Sequence, residues 1–155
     1  MPRISRPPTL AQPMHHPCVM SKPVPTIQKY MTTSPHTIGE DQPMALAHRM
    51  MREHRVRHLP VLRGAKIVGL VSDRDLHMVE TLDNVDPREV LVSEAMSQDP
   101  YLVSPEAALD EVVGTMANKK YGSAIVTQHE KVVGIFTTVD ACRAFADLLH
   151  TRLAK

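Results

Sequence analysis

The sequence has 155 residues and a mass of 17.3 kDa, with 43% hydrophobic residues, which indicates one compact domain or two very small ones. A net charge of +1 and only five aromatic residues argue against a nucleic-acid partner. The apolar runs are too short to span a membrane, the N-terminus lacks a secretory signal, and two cysteines make no disulfide framework, so we expect a cytoplasmic protein without a membrane partner.

Proline dominates the beginning of the chain. Seven of the 13 prolines lie there, at positions 2, 7, 8, 13, 17, 23 and 25. Proline fixes φ and removes a hydrogen-bond donor, so residues 1–24 are predicted to form a flexible, proline-rich arm. A periodic pattern of apolar residues begins near Ile27.

The remainder of the sequence repeats with a constant displacement and no gap. The displacement aligns these pairs: Met31 with Met96, Pro35 with Pro100, Met51 with Met116, Val61 with Val126, Gly69 with Gly134, and Asp75 with Asp140. A displacement that stays constant from the first of these pairs to the last indicates a duplicated unit. We therefore predict repeat 1 over residues 25–88 and repeat 2 over residues 89–155.

The first copy predicts the element order β-α-β-β-α. A strand at Thr37-Ile38 precedes a helix whose apolar residues are Met44, Ala47, Met50 and Met51, and Pro43 is expected to delay the start of that helix relative to the second copy. Two β-rich segments follow at 58–62 and 66–71, and a second helix is predicted from Asp73 to about Leu82.

The second copy predicts the same order. It begins with a strand at Leu102-Val103 and a helix that Ser104 caps and Pro105 begins, whose apolar stripe is Leu109, Val112, Val113 and Met116. Strands follow at 123–127 and 131–137, and then a last helix with Ala141, Phe145, Leu148 and Leu149 on one face. A unit of about 60 residues buries little surface alone. The predicted fold is therefore α+β, with the two β-α-β-β-α repeats facing each other across a pseudo-twofold axis and sharing a core.

One motif ends the last strand of each copy. Gly69-Leu70-Val71-Ser72-Asp73-Arg74-Asp75 is echoed by Gly134-Ile135-Phe136-Thr137-Thr138-Val139-Asp140. The hydroxyl and the free N–H groups of a new helix favour a phosphate, and the carboxylate three residues later suits a diol such as ribose. The same residues also form a capping box, whose only role is to start the helix. The pattern alone leaves both interpretations open.

These features together resemble the CBS (cystathionine-β-synthase) domain family, whose tandem pairs are called Bateman modules. The resemblance covers residues 27–150 and rests on the start Tyr30-Met31-Thr32 through Pro35, the segment 55–61, and both Gly-x-x-[Ser/Thr]-x-x-Asp endings. It implies two clefts between the repeats that bind adenosine-containing ligands, namely AMP, ADP, ATP, or S-adenosylmethionine and its relatives. Such ligands regulate an attached or partner protein.

The resemblance implies contacts to ribose, adenine and phosphate in a first site. These are Asp75 and Ser72 for the ribose and its phosphate edge, Thr37, Ile38 and Pro60 for the adenine, and Arg57 and His58 for the phosphate. The implied second site consists of Asp140 and Thr137 with Leu102 and Val103 at the adenine. Here Gly122 and Ser123 replace the two basic residues, and Tyr121 is the remaining candidate contact, so phosphate is expected to bind less tightly.

We therefore predict a stand-alone regulatory module that senses an adenine nucleotide and signals through a homodimer or an unknown effector protein. We expect no enzymatic activity, because no nucleophile, base or phosphate-loop pattern occurs at a usable spacing. We expect neither a metal nor a resident cofactor. Two alternatives remain, a ligand-free scaffold and a binder of S-adenosylmethionine-type ligands.

Overall fold

The computed structural model describes residues 23–153. After a 3₁₀ helix at Ile27–Lys29, the elements in chain order are β1 (Thr32–Thr33), β2 (Ile38–Gly39), α1 (Met44–His54), β3 (His58–Arg63), β4 (Lys66–Ser72), α2 (Asp73–Glu80), α3 (Val92–Ala95), β5 (Leu102–Val103), α4 (Leu109–Lys119), β6 (Ser123–Gln128), β7 (Lys131–Thr137) and α5 (Thr138–Leu153). Within these residues, no helix is long and apolar enough to cross a bilayer.

The strands form two sheets of matching design. One has the order β2-β3-β4 and the other β1-β7-β6-β5. In each, a short strand runs parallel to the first strand of an antiparallel hairpin, so β2 pairs with β3 and β5 pairs with β6. Helices α1 and α4 begin at equivalent positions of the two repeats, Met44 and Leu109, and strands β3 and β6 do so at His58 and Ser123. The α+β fold and the duplicated β-α-β-β-α order are confirmed.

The segment that begins each repeat packs against the other repeat, so the two repeats exchange these leading segments. Ile27 lies fully buried in the core of the second repeat, and Val92 of α3 lies fully buried in the core of the first. The Ile27 N–H donates to the carbonyl of Ala107 at 2.9 Å, and Thr33 of β1 pairs with Gly134 of β7. The equivalent bridge in the first repeat joins Leu70 to Ser97. This reciprocal packing is the pseudo-twofold arrangement of the predicted fold.

Two predicted helix boundaries are wrong. Helix α4 does not begin at Ser104-Pro105 but at Leu109, because the carbonyls of Pro105 and Ala107 accept hydrogen bonds from the Gln28 and Ile27 N–H groups. The leading segment of the first repeat therefore keeps the turn before α4 from becoming part of the helix. In the first repeat, Pro43 does not delay α1, since it is the N-cap residue of a helix that starts at the position equivalent to Leu109.

The second helix of the first repeat is also shorter than expected. Helix α2 ends at Glu80, where the prediction continued to about Leu82. Thr81 is the C-cap residue of α2, and its N–H still donates to the carbonyls of His77 and Val79. The predicted arm over 1–24 lies almost wholly outside the described residues.

Close packing of the exchanged segments explains why each repeated motif contains a glycine. A Cβ added at Gly69 would lie 2.6 Å from the Sδ of Met96 and 2.6 Å from the carbonyl oxygen of Ser97. A Cβ at Gly134 would lie 2.5 Å from the Sδ of Met31. Each methionine thus packs directly on the backbone of the other repeat, at a distance that only glycine permits.

Replacing Gly69 by alanine is therefore expected to lower the free energy of unfolding by about 1–3 kcal/mol, the usual cost of overpacking. The matched control is Gly114→Ala in α4, where an added Cβ meets no atom within 4 Å among the described residues. Alanine in a helix interior favours folding over glycine by about 0.5–1 kcal/mol, so this control should be slightly more stable. Urea denaturation measures both, and equal stability of the two variants would contradict the packing argument.

Candidate ligand-binding site

The hydroxyl and carboxylate of each repeated motif are bonded to each other at a helix start. Ser72 is the N-cap residue of α2, and its Oγ accepts a hydrogen bond from the Asp75 N–H at 3.3 Å. The Asp75 Oδ2 accepts from the Ser72 N–H at 2.9 Å and from its hydroxyl at 2.6 Å. In the second repeat, the Thr137 N–H and hydroxyl both donate to the Asp140 Oδ2 at 2.9 Å. The capping-box interpretation is confirmed.

Capping uses only one oxygen of each carboxylate. Within residues 23–153, the Asp75 Oδ1 has no hydrogen-bond partner, whereas the Asp140 Oδ1 accepts from the Nη1 of Arg143 at 3.2 Å. A capping role is therefore compatible with ligand binding, because the second oxygen of Asp75 is available to accept hydroxyl groups. The two repeats differ at this oxygen.

Four predicted residues of the first site meet at the start of α2. His58 pairs with Ser72 across β3 and β4, and paired residues present their side chains on the same face of a sheet. The Asp73 N–H donates to the carbonyl of Arg57 at 2.9 Å, which holds Arg57 beside the first turn of the helix. Arg57 is exposed and His58 is half-buried. The His58 side chain and the Arg57 backbone therefore lie at the start of α2, where Asp75 also lies.

His58 also contacts the second repeat. A Cβ added at Gly122 would lie 3.0 Å from the His58 Nε2, so the imidazole occupies the space that a side chain there would take. Burial lowers the pKa of His58, opposed by the Asp75 and Asp73 carboxylates and reinforced by Arg57. The imidazole is therefore mainly neutral near pH 7 and lies where the two repeats meet.

The structure gives the surroundings of the three predicted adenine contacts of the first site. Thr37 and Ile38 line a cavity of about 310 Å³ that also contacts Glu40, Arg63 and the turn at Gly64. Ser72 and Asp75 are not among the residues that line it. Pro60 is buried in β3 opposite Leu70. The assignment of these three residues to an adenine therefore stays a prediction.

The second site contains an unsatisfied hydroxyl. Ser123 pairs with Thr137 across β6 and β7 and is 3% exposed, yet its Oγ has no hydrogen-bond partner among the described residues. The half-exposed Tyr121 stacks on Tyr101 with ring centroids 5.4 Å apart. The predicted contacts Leu102 and Val103 pair with Ile125 and Val126 in the sheet.

Three ring-bearing or charged residues were missed by the sequence analysis. Tyr101 stacks on Tyr121, and His36, at the equivalent position in the first repeat, stacks on His54 with centroids 3.6 Å apart. His36 and Tyr101 are equivalent in the repeat alignment, and a ring at both positions is the signal that could have identified them. Arg143 also escaped notice, although it lies one helical turn after Asp140.

Two β-α-β-β-α units that exchange their leading segments, with a hydroxyl and a carboxylate at each helix start, define a tandem α+β module with its candidate sites at the junction. The sequence profile of the CBS domain matches residues 18–79 and 92–147. The chain belongs to the CBS domain family and carries two copies of the domain. The resemblance seen in the sequence is confirmed.

Similar proteins include an archaeal enzyme and a bacterial protein of known structure. The inosine-5′-monophosphate dehydrogenase of Korarchaeum cryptofilum is 30% identical over 122 residues, which are 78% of this chain and 24% of that protein. This chain therefore spans about a quarter of the length of that relative. The crystal structure of the Vibrio cholerae protein AcuB, provisionally assigned to acetoin utilization, is 28% identical with a TM-score of 0.75, covering 85% of this chain and 98% of that one.

Two similar structures contain adenosine derivatives. The CBS domain pair of MJ0100, in complex with 5′-methylthioadenosine and S-adenosyl-L-methionine, has a TM-score of 0.74 and 20% identity, covering 81% of this chain and 98% of that one. CBSX2 in complex with AMP has a TM-score of 0.69 and 23% identity, covering 79% and 97%. At these identities the likeness shows the shared fold.

Proposed function

We propose that this chain is a regulatory module that binds AMP, ADP or ATP at the junction of its two CBS domains and signals to a partner protein. The observation that carries the proposal is the free Oδ1 of Asp75 at the start of α2, where the His58 side chain and the Arg57 backbone also lie. The adenosine derivatives bound by MJ0100 and CBSX2 support this ligand class. The proposal assigns no catalytic role to the chain, since CBS pairs act as regulatory ligand-binding domains.

The chemistry of the first site suits a phosphorylated ribose. The ribose hydroxyls would donate to the Asp75 Oδ1, while its Oδ2 keeps the cap. The phosphate would face the guanidinium of Arg57 and the positive end of α2. A phosphate would also favour the protonated form of His58, which burial otherwise disfavours.

The signal requires a partner, and apolar residues on α2 and α5 offer a surface for one. Five large apolar side chains of these two helices are at least 39% exposed: Met78, Val139, Phe145, Leu149 and Leu153. Leu82, just after α2, is also exposed. A cavity of about 240 Å³ adjoins this surface, lined by α4, α5 and Val24. A second copy of the chain would cover these faces, so we include a homodimer in the proposal. The proposal also includes an effector protein that receives the signal and a cytoplasmic location.

A ligand screen by thermal unfolding tests the proposed function. AMP at 100 times its Kd should stabilise the protein by about 2.7 kcal/mol and raise its Tm. The matched control is the double variant Asp75→Asn and Asp140→Asn. The asparagine oxygen still accepts the capping hydrogen bonds, while its amide donor replaces the oxygen that would receive the ribose. This variant should fold and show no shift with AMP.

The same screen separates the alternatives. A shift with S-adenosylmethionine or 5′-methylthioadenosine, but none with AMP, ADP or ATP, would favour the second ligand class. Absence of any shift in the parent protein would contradict the proposed function and favour a ligand-free scaffold.

A further inference from the structure

The carboxylate of the second site differs from that of the first by one neighbour. Arg143 donates from Nη1 to the Asp140 Oδ1 at 3.2 Å, while the equivalent position in the first repeat is Met78. The Asp140 side chain is 5% exposed and the Arg143 side chain is 73% exposed. A solvent-exposed guanidinium therefore covers the carboxylate oxygen that is free at Asp75.

We propose that Arg143 determines the specificity of the second site by making it select phosphorylated adenosines over adenosine itself. This inference rests on the proposed function, because it assumes that the ribose of a ligand contacts Asp140 as it would contact Asp75. The chemical class of ligand is an adenosine with a phosphate on its ribose.

The argument follows from competition for a single oxygen. Oδ2 of Asp140 already accepts two hydrogen bonds from Thr137, so both hydroxyls of a ribose would have to donate to Oδ1. Two hydroxyls would fill both acceptor positions of Oδ1 and displace Arg143 from it. An ion pair with one strongly exposed partner is held weakly, so the displacement is feasible. With adenosine, the displaced guanidinium gains nothing. With AMP, it gains a charge-assisted hydrogen bond to the phosphate.

A second observation independently points to a ligand at this place. The Oγ of Ser123, on the strand position opposite Thr137, is buried without a hydrogen-bond partner among residues 23–153. A buried hydroxyl is normally bonded, because leaving it unpaired costs free energy. A polar group of a ligand at Asp140 would supply the missing partner.

The source of positive charge thus differs between the two sites. In the first, the charge comes from Arg57, just before β3, and from His58 once a phosphate favours its protonation, where the second repeat has Gly122 and Ser123. In the second, the charge comes from α5, through Arg143. Anion recognition is retained in both repeats, although the sequence positions equivalent to the first pair carry no charge.

The test exchanges the two residues that distinguish the sites. To isolate the second site, Asp75→Asn silences the first, and Arg143→Met is added to this background. Calorimetry then measures the affinities for AMP and for adenosine. The ratio of the AMP affinity to the adenosine affinity should fall about tenfold. AMP should bind less tightly, because its phosphate loses a cation, and adenosine should no longer compete with a guanidinium for Asp140. In the reciprocal pair, Met78→Arg is added to Asp140→Asn, and the ratio at the first site should rise.

The outcomes separate this inference from the proposed function. If Arg143→Met changes both affinities equally, or neither, Arg143 is not a specificity determinant, although nucleotide binding itself stands. An unchanged ratio on Met78→Arg would overturn the inference as well. If AMP binds neither to the parent protein nor to the two single asparagine variants, the proposed function is wrong and this inference is wrong as well.

Discussion

Replacing Ile27 by alanine is expected to lower the free energy of unfolding by about 2–5 kcal/mol, the usual cost of removing buried methylene groups from a core. Ile27 is 0% exposed and lies in the core of the second repeat, although it belongs to the beginning of the first repeat in the chain. Its backbone is fixed too, because its N–H bonds to Ala107 and its carbonyl accepts from Tyr30 and Met31. The surroundings therefore cannot readily close over a cavity at this position.

The control and the location of the effect make this prediction specific. Val24 lies in the same segment but is 50% exposed, so Val24→Ala should change the stability little. Denaturation in urea measures both variants, and hydrogen exchange should show the loss of protection in α4 and α5 before α1. If Ile27→Ala is as stable as Val24→Ala, the exchanged segment does not contribute to the core of the second repeat.

A second contact attaches the same segment to the last helix. The Tyr30 hydroxyl donates to the Asp147 Oδ2 at 2.6 Å, and the Lys29 ammonium lies 3.5 Å from the same oxygen. The Tyr30 hydrogen bond, with the Lys29 charge, holds the pKa of Asp147 below its usual value. The segment leads directly into β1, which pairs with β7, so the same stretch of chain contacts both α5 and the sheet of the second repeat.

The repeat displacement made the fold predictable, whereas the exchanged segments limited what could be predicted locally. Apolar spacing correctly identified the buried stripe Leu109, Val112 and Met116 of α4. It could not locate the start of that helix, because Ser104 and Pro105 carry a strong local signal that hydrogen bonds from a distant segment override. Those bonds depend on tertiary packing, which no local pattern contains.

The candidate site was predictable to a similar extent. The spacing of Ser72 and Asp75 correctly predicted a capping box. The ribose contact stays a prediction, and it is compatible with the cap because capping uses only one carboxylate oxygen. The i,i+3 spacing of Asp140 and Arg143, against Asp75 and Met78, places a cation near only one of the two carboxylates, but it does not indicate which carboxylate oxygen the cation covers. Which oxygen is covered depends on side-chain geometry within a single helical turn.

Replacing Arg57 by alanine is expected to weaken AMP binding at the first site by about 10–100-fold and to leave adenosine binding nearly unchanged. A charge-assisted hydrogen bond contributes about 1.5–3 kcal/mol, which corresponds to one to two decades in affinity. Among residues 23–153, Arg57 forms no ion pair, so its charge is available to a phosphate without breaking another contact. The second repeat has Gly122 at this position, and its own candidate cation is already paired with Asp140, so the first site should bind AMP more tightly than the second.

Calorimetry in the Asp140→Asn background confines this measurement to the first site. Arg52→Ala is the matched control, because it removes the same charge from the exposed surface of α1 and should affect neither ligand. Adding Asp75→Asn should weaken AMP and adenosine together, since the ribose contact is common to both ligands. If Arg57→Ala binds AMP as tightly as Arg52→Ala does, the guanidinium faces solvent or a partner rather than a phosphate. In that case the selectivity of the first site must come from His58 and the start of α2, and the charge difference between the repeats would no longer rank their affinities.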